Sequence, residues 1–371
     1  MIAKHTRSSR QQGITSIIAV IFTSILLSII SVSFIALMLR EQSRSIDDQL
    51  SQSAYDAAMS GVEDGKRVLA RCDNGIVASC NAINAQECNT VQASGLLGAS
   101  GDSQVVIESS GGSGGDLLQA YTCVVINRDT DNYLGTLTSH DSSVMLALAG
   151  TGTFNRVKID WYRSTDGGYN QPITPVVNIP LYAMASWPIN YPPVLRAQYI
   201  QSQSTINLAD YDDNDGSHAV FLYPTRQTSP DISLIANDNR RSLGVIGSPV
   251  RSQCASVPIV DYACSATIAI PSGGAAERYL RLTSIYKGAS FRVTLYNDLN
   301  PVKFSGVQPS IDVNGRANDV YRRVDVRVEK KLSDTEIPYP RATVDITNNF
   351  CKDFSVTNTS YSAGSCSTSG P

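Results

Sequence analysis

Histidine and tryptophan are scarce in this 371-residue chain, which has three histidines and two tryptophans. His5, His140 and His218 are not spaced from cysteine or serine as in a metal-binding or catalytic motif. The chain also lacks a P-loop, and this excludes an ATP motor as far as a motif can exclude one. We therefore expect a protein that is not an enzyme.

One segment formally fits a catalytic motif. Gly111–Gly115 matches the G-x-S-x-G nucleophile elbow, with Ser113 at the nucleophile position. An elbow needs a strand before the serine and a helix after it. Here the serine lies in a run of glycines, and the next segment, Asp116–Asn127, is typical of a turn that leads into a strand. The pattern favours a flexible hairpin loop over a membrane-anchored hydrolase.

Two kinds of cluster are also missing. Lysine and arginine are dispersed and form no basic block beyond the first residues, so the sequence indicates no nucleic-acid-binding surface. The closest cysteines are separated by seven residues. Structural zinc sites use pairs with typically about two to four residues between them. A structural zinc site is therefore not expected.

Charge is absent from the 26 residues Ile14–Leu39. As a helix rising about 1.5 Å per residue, this run exceeds the roughly 30 Å of a bilayer core. Lys4, Arg7 and Arg10 precede it without an acidic residue, which favours a single pass with the N-terminus in the cytoplasm. The run is too long for a secretory signal, and no A-x-A cleavage site follows Leu39. A plain anchor in the cytoplasmic membrane stays open.

The junction before this run carries a family resemblance. Residues Lys4–Gln12, then Gly13, then Ile14 and Thr15 followed by the apolar helix, resemble the class III leader of type IV pilins and pseudopilins. The resemblance implies that residues 1–13 are a leader, which a prepilin peptidase removes by cutting between Gly13 and Ile14 and then methylating Ile14. It also implies an inner-membrane assembly platform and other pilins as partners, the latter through the N-terminal helix.

One position departs from the family pattern. The fifth residue after the cut is usually Glu, and here it is Ile18. A carboxylate in lipid is costly and is normally retained for a function. In lacking this carboxylate the chain resembles minor pilins and tip pseudopilins. The resemblance therefore implies a subunit that primes or caps a filament.

The helix is predicted to continue beyond the membrane, over residues 14–71 with 14–39 in the bilayer. From Arg40 to Arg71 apolar residues recur at three- and four-residue steps, which predicts one buried stripe and packing on the following sheet. Small hydroxyl residues recur in the membrane half. They either allow close packing of this helix against others or are merely tolerated in a single span without a packing role. These candidates are Ser16, Ser24, Ser28 and Ser31.

Beyond the helix the pattern changes to short strands, and the fold class is α+β. The expectation is a pilin-like helix on an antiparallel sheet, a large β-rich extension and a C-terminal loop closed by a disulfide. Proline-rich residues 171–193 favour a boundary that separates a β-rich region, 72–180, from a second one, 181–371. The predicted strands are 104–108, 121–127, 144–148, 157–163, 194–201, 219–223, 278–286, 291–296 and 320–330.

The eight cysteines all lie outside the apolar run, and an exported domain meets an oxidising environment, so disulfides are expected. Proximity in sequence favours Cys254–Cys264 and Cys351–Cys366. The remaining four are expected to pair among themselves, with Cys72–Cys80 and Cys88–Cys123 as the preferred arrangement.

Two further features are candidates for ligand binding. The acidic cluster Asp210, Asp212, Asp213 and Asp215 precedes Gly216, but neither register fits an EF-hand. A calcium loop of another kind and a solvated turn both stay open, and no other cofactor is expected. Aromatic residues indicate either an adhesive patch for a surface or host ligand or ordinary packing. They are Trp161, Trp187, Tyr191, Tyr199, Tyr223 and Tyr286.

Two functions follow from these observations. The first is a minor pilin or pseudopilin that primes or caps a type IV pilus-like filament used in adhesion, motility, DNA uptake or secretion. Such a subunit begins in the cytoplasmic membrane, in contact with lipid, and ends in an extracellular filament. The second is a membrane-tethered extracellular adhesin or binding module that never enters a filament.

Overall fold

The computed structural model describes ten segments of the chain. They are residues 12–97, 104–107, 119–138, 143–172, 186–202, 216–227, 231–234, 249–256, 261–270 and 277–329. The helices are α1 (Gln12–Asp73), α2 (Val77–Ala85) and α3 (Thr90–Ala93). The strands are β1 (Val105–Val106), β2 (Gln119–Thr130), β3 (Tyr133–Leu137), β4 (Ser143–Ala147), β5 (Arg156–Arg163), β6 (Val194–Ser202), β7 (Ser217–Thr225), β8 (Ile232–Ser233), β9 (Val250–Cys254), β10 (Tyr262–Ala269), β11 (Glu277–Ile285), β12 (Ala289–Asn297), β13 (Asn300–Val302), β14 (Phe304–Ala317) and β15 (Val320–Arg327).

The chain folds as an α+β protein with two compact units. The first, here called the helical unit, draws on Met1–Val125 and Ile311–Asp325. The second, here called the β unit, draws on Ile126–Ser310 and Val326–Pro371. This division differs from the boundary expected between residues 180 and 181. The physical reason is that β14 and β15 join the sheet of β1 and β2, so segments distant in sequence complete one unit.

In the helical unit, the second half of α1 packs on a sheet with the strand order β1-β2-β14-β15. The periodic alanine and valine residues of the helix supply one side of the core, as their spacing predicts. The sheet supplies the other side, because alternate residues of a strand point to the same face. The buried residues include Ala54, Ala57, Ala58, Val62, Val68, Leu69, Tyr121, Val124, Ile311 and Val313.

The β unit is built on one large sheet in which the described strands run β13-β12-β5-β10-β9-β7-β6-β11-β4, with β3 beside β12 and β8 beside β10. Most described pairs are antiparallel, while β7–β9 and β8–β10 are parallel. Strand alternation places the main core on one face of this sheet. Its members include Val157, Ile159, Trp161, Leu195, Val220, Leu222, Leu282, Phe291, Val293 and Leu295.

Three disulfides link described cysteines. They join Cys72 to Cys80, Cys88 to Cys123 and Cys254 to Cys264, the pairs preferred from the sequence. The third connects residues directly opposite each other on β9 and β10. The expected pair Cys351–Cys366 lies outside the described residues.

Candidate assembly helix

The first half of α1 is apolar and stands clear of the rest of the described protein. All residues from 16 to 49 are exposed. The most apolar 18-residue window of the helix has a mean hydropathy of 2.6, and none of it is buried. Within the described residues this is one helix long and apolar enough to cross a membrane, judged by length and composition. A surface of this kind is stable in lipid, where apolar side chains need no protein partner.

The hydroxyl groups of the apolar half bond within the helix. Thr23 donates to the carbonyl oxygen of Ala19 at 3.0 Å, and Ser28 donates to that of Ser24 at 2.8 Å. Ser24 and Ser33 make similar bonds to carbonyls one turn earlier. Such bonds satisfy a hydroxyl donor without a second helix, so these side chains tolerate lipid.

The proposed packing stripe of Ser16, Ser24, Ser28 and Ser31 is exposed throughout. Its contact with other helices stays a prediction. Gly13 and Ile14, the predicted cleavage position, lie in the backbone of α1 just after its first residue, Gln12.

A polar section of α1 separates the apolar half from the sheet. Residues 40–49 are exposed, and Arg44 lies 3.5 Å from Glu41 in an exposed ion pair. Ten helical residues span about 15 Å. This section, here called the helix neck, therefore holds the sheet of the helical unit away from the end of the apolar run.

Beyond the helix neck, α1 approaches β14 closely enough to require glycine. A Cβ built on Gly315 would lie 2.0 Å from the carbonyl oxygen of Ala54 and 2.4 Å from the amide nitrogen of Ala58. At Gly61 a Cβ would lie 2.7 Å from Val313 and 2.9 Å from Tyr121. The backbone of α1 is thus in direct contact with β14, and the helix is fixed on the sheet along several turns.

Polar contacts set the position of the helix on its sheet. The Tyr121 hydroxyl donates to Asp64 at 2.6 Å, and Arg67 lies 3.0 Å from the same carboxylate. Burial and then the bond to Asp64 raise the pKa of Tyr121 well above its usual range, so the phenol stays a donor. Nearer the helix neck, Arg322 of β15 donates to the Ser51 hydroxyl at 2.8 Å.

The far end of α1 is closed by covalent bonds. Cys72 in its last turn is joined to Cys80 of α2. Cys88 is joined to Cys123 of β2, and the amide of Val124 donates to the Cys88 carbonyl at 2.9 Å. The helix end, the short helices and β2 are therefore fixed to one another.

Other predicted site residues have different positions. The acidic cluster lies outside the described residues, so the calcium loop stays a prediction; its members are Asp210, Asp212, Asp213 and Asp215. Ser113 and His140 also lie outside the described residues. His218 is buried at the start of β7.

The adhesive aromatic patch is wrong for four of its six members. Trp161, Trp187, Tyr199 and Tyr223 are buried. Trp187 stacks on the half-buried Tyr286 with ring centroids 4.1 Å apart and an interplanar angle of 5°. These rings are packing residues, because a buried ring has no open face for an external ligand.

Sequence reasoning missed the contacts that position the helix. Gly315 and Tyr121 are separated from their α1 partners by 57 or more residues in sequence, so no local pattern links them. The one available signal was the small-residue content of α1 around Ala54, Ala57, Ala58 and Gly61, which is compatible with close approach of another backbone.

Searches of protein-family models, curated proteins and solved structures find no match to this chain.

Proposed function

We propose that this protein is a minor pilin or pseudopilin, a structural subunit that primes or caps a type IV pilus-like filament. The observation that carries the proposal is the single 62-residue helix α1, which is apolar and exposed in its first half and packed on a sheet in its second. Such a helix suits a subunit that is stored in lipid and later packs against other helices.

The proposed mechanism is mechanical. A prepilin peptidase cuts after Gly13, and the apolar half of α1 then leaves the bilayer for a bundle of pilin helices above an inner-membrane assembly platform. Lipid contacts are exchanged for side-chain packing, which is the main source of association between apolar helices. The contacts of Gly315, Tyr121 and Arg322 with α1 support this mechanism, because they let a pull on the helix move its sheet as one body.

The proposed topology follows from the same helix. The basic residues before Gly13 stay in the cytoplasm, and the disulfide-linked part of the chain lies outside. Ile18 in place of the usual Glu supports a tip or priming position rather than a repeated one in the shaft.

The test is the intact mass of the protein recovered from its native host. We expect loss of residues 1–13 and one added methyl group on Ile14. Gly13→Val should stop the cut, whereas Ser9→Ala, a change within the same leader, should not. A native N-terminus that is still uncut would overturn the proposal and leave a tethered adhesin or binding module.

A second measurement separates the filament subunit from the tethered module. Filaments sheared from the cell surface should contain the processed chain, while the Gly13→Val variant should stay with the membrane fraction. Processed protein that never appears with filaments would exclude a tip position and point to a role in the membrane.

A further inference from the structure

Lys287 differs from the other lysines that the structure describes. Each of the others forms an ion pair with a carboxylate; they are Lys66, Lys158 and Lys303, at 2.7, 3.2 and 3.7 Å. Lys287 lies in the link between β11 and β12, is half-buried and forms no ion pair with a described carboxylate. It donates instead to two uncharged oxygens, the Tyr162 hydroxyl at 2.5 Å and the Ile189 carbonyl at 2.8 Å.

These two acceptors suit an uncharged amine better than an ammonium group. An ammonium has three N–H donors, whereas the neutral amine has two donors and one lone pair. The Tyr162 hydroxyl gives its own hydrogen to the Gly168 carbonyl oxygen at 2.8 Å, so its oxygen is free to accept from Lys287. With both N–H donors engaged, the third position on Nζ carries the lone pair. An amine in this state can attack an electrophile.

The charged group nearest to Lys287 does not hold its proton firmly. Burial lowers the pKa of Lys287 to about 8, and the charge of Asp166 opposes this effect without reversing it. The Asp166 carboxylate accepts from the Arg163 amide at 2.8 Å and from the Ser290 amide and hydroxyl at 2.8 and 2.7 Å, so other donors occupy it. At about pH 7.4, roughly a fifth of Lys287 is uncharged, against roughly a thousandth of an ordinary lysine.

The backbone on both sides of this amine is strained. Tyr162 has φ 68°, and Tyr286, the residue before Lys287, has φ 82°. Bulky residues rarely adopt this left-handed region. The other described non-glycine residues with positive φ lie at a helix cap or in turns. Trp187 stacks on Tyr286 with ring centroids 4.1 Å apart. Strain imposed by surrounding contacts is frequent at sites that bind or react, which marks Lys287 as a candidate reactive group.

The ring of Tyr162 favours one class of electrophile. The Lys287 nitrogen lies 4.2 Å from the centroid of this ring, within the distance at which a cation is attracted to it. An aldehyde converts the amine into an imine, which can take up a proton and keep a positive charge over the ring and near Asp166. An acyl donor gives an uncharged amide, which loses both interactions. The surroundings therefore favour an aldehyde over an acyl donor.

We propose that Lys287 is a nucleophilic amine that forms an imine with an aldehyde. The nitrogen lone pair attacks the carbonyl carbon, and one nitrogen-bound proton moves to the carbonyl oxygen to give a carbinolamine. The C–O bond then breaks, and the oxygen leaves as water with the second nitrogen-bound proton. The step consumes no oxidant or reductant. All the groups involved belong to the β unit, so the proposal does not depend on leader cleavage or filament assembly.

The experiment treats the full chain in detergent with glycolaldehyde and sodium cyanoborohydride at about pH 7.4. The reductant converts each imine into a stable secondary amine, and peptide mass spectrometry gives the labelling rate of each lysine. Lys287 should be labelled at least about tenfold faster than Lys303, which is more exposed but paired with Asp131. In guanidinium chloride the two rates should become equal, because the advantage comes from the fold.

The pH dependence is a second measurement, which an exposed lysine would not reproduce. Labelling of Lys287 should reach half its maximum near pH 8, well below the midpoint of an ordinary lysine. Asp166→Asn removes a charge that favours the ammonium form, so it should move this midpoint to lower pH. Asp131→Asn, which removes a carboxylate paired with Lys303, should leave the Lys287 midpoint unchanged.

Two results would overturn the proposal without any variant. One is labelling of Lys287 no faster than that of Lys303, or a fast rate that persists in guanidinium chloride. The other is rapid acetylation of Lys287 by N-acetoxysuccinimide without an aldehyde adduct, which would leave an amine that reacts with acyl donors only. Neither result bears on the cut after Gly13, so failure of this proposal is distinct from failure of the filament function.

Discussion

Gly315 shows how strongly one residue can limit the approach of a helix to a sheet. Its missing side chain lets β14 lie against the backbone of α1, where a Cβ would come within 2.0 Å of the Ala54 carbonyl oxygen. Backbone atoms cannot swing aside as the end of a flexible side chain can. A methyl group at this position must therefore push the helix and the strand apart.

We expect Gly315→Ala to lower the free energy of unfolding by about 2 kcal/mol, the usual size of an overpacking penalty. Gly152→Ala is the matched control, because a Cβ there has nothing within 4 Å and its φ is not positive. Urea denaturation of both variants measures the difference. Equal stability of the two variants would show that the helix and β14 can separate freely.

Lys287 is the second residue whose environment makes a measurable difference. Its ammonium donates to the Tyr162 hydroxyl at 2.5 Å and to the Ile189 carbonyl oxygen at 2.8 Å. Burial lowers the pKa of Lys287 to about 8, against the opposing effect of the Asp166 charge. The Tyr162 phenol has its pKa raised to about 12, mainly by burial, so it stays protonated while the lysine titrates.

The sign of the pH dependence follows from these values. Above pH 8 the folded protein releases the Lys287 proton, while the unfolded chain keeps it to about pH 10.5. The unfolded state then binds more protons, so the contribution of Lys287 to stability rises between pH 8 and 10. Lys287→Met should remove this rise in melting temperature, and Lys303→Met should not. A rise that persists in Lys287→Met would assign it to other groups.

At the scale of elements, α1 was largely predictable from sequence and several strands were not. The helix was expected over residues 14–71 and runs from Gln12 to Asp73, because its period and the absence of proline are local signals. β14 was missed because Gly306, Pro309 and Gly315 interrupt its pattern. Pairing with neighbouring strands and packing on α1 outweigh that weak propensity.

The candidate sites divide in the same way. The apolar run was predictable because it depends on neighbours in sequence, whereas cleavage between Gly13 and Ile14 stays a prediction. The ion pair of Asp160 and Arg292 was not visible, because these residues are 132 positions apart and become neighbours through the pairing of β5 with β12. Strand alternation placed the Lys158 side chain opposite the core, but no local pattern shows which strand lies beside it.

The apolar half of α1 gives a prediction at this scale. Ile25→Arg places a charge near the middle of the apolar run, which costs about 2.5–3.5 kcal/mol on insertion scales. We expect poor retention in carbonate-washed membranes and, under the proposed filament function, loss from sheared filaments. Ser45→Arg in the exposed helix neck should behave as the unmodified chain. Normal assembly of Ile25→Arg would contradict a packed or lipid-facing role for this half.

At the scale of the whole molecule, disulfides and the C-terminal strands β14 and β15 connect segments of the helical unit that are distant in sequence. Cys88–Cys123 closes a loop of 35 residues and Cys72–Cys80 one of 8. Both lie in the helical unit. A longer closed loop restricts the unfolded chain more, so the two bonds should contribute unequally to stability.

We expect the double variant Cys88→Ser, Cys123→Ser to lose about 1 kcal/mol more than Cys72→Ser, Cys80→Ser, from the dependence on loop length. Chemical denaturation without reductant measures both. Addition of reductant to the unmodified chain should lower its stability below that of either variant. The reverse order of the two variants would mean that native contacts outweigh chain entropy.

The position of β14 and β15 late in the sequence determines when the helical unit can complete its sheet during synthesis. Ile311 emerges from the ribosome roughly 240 residues after Asp73, which at about 5–20 residues per second is a delay of roughly 12–48 s. During that delay the alanine-lined side of the helix has β2 available but has not yet met β14 and β15. The core of the helical unit is therefore completed only when Ile311–Asp325 has emerged, after most of the β unit has been synthesised.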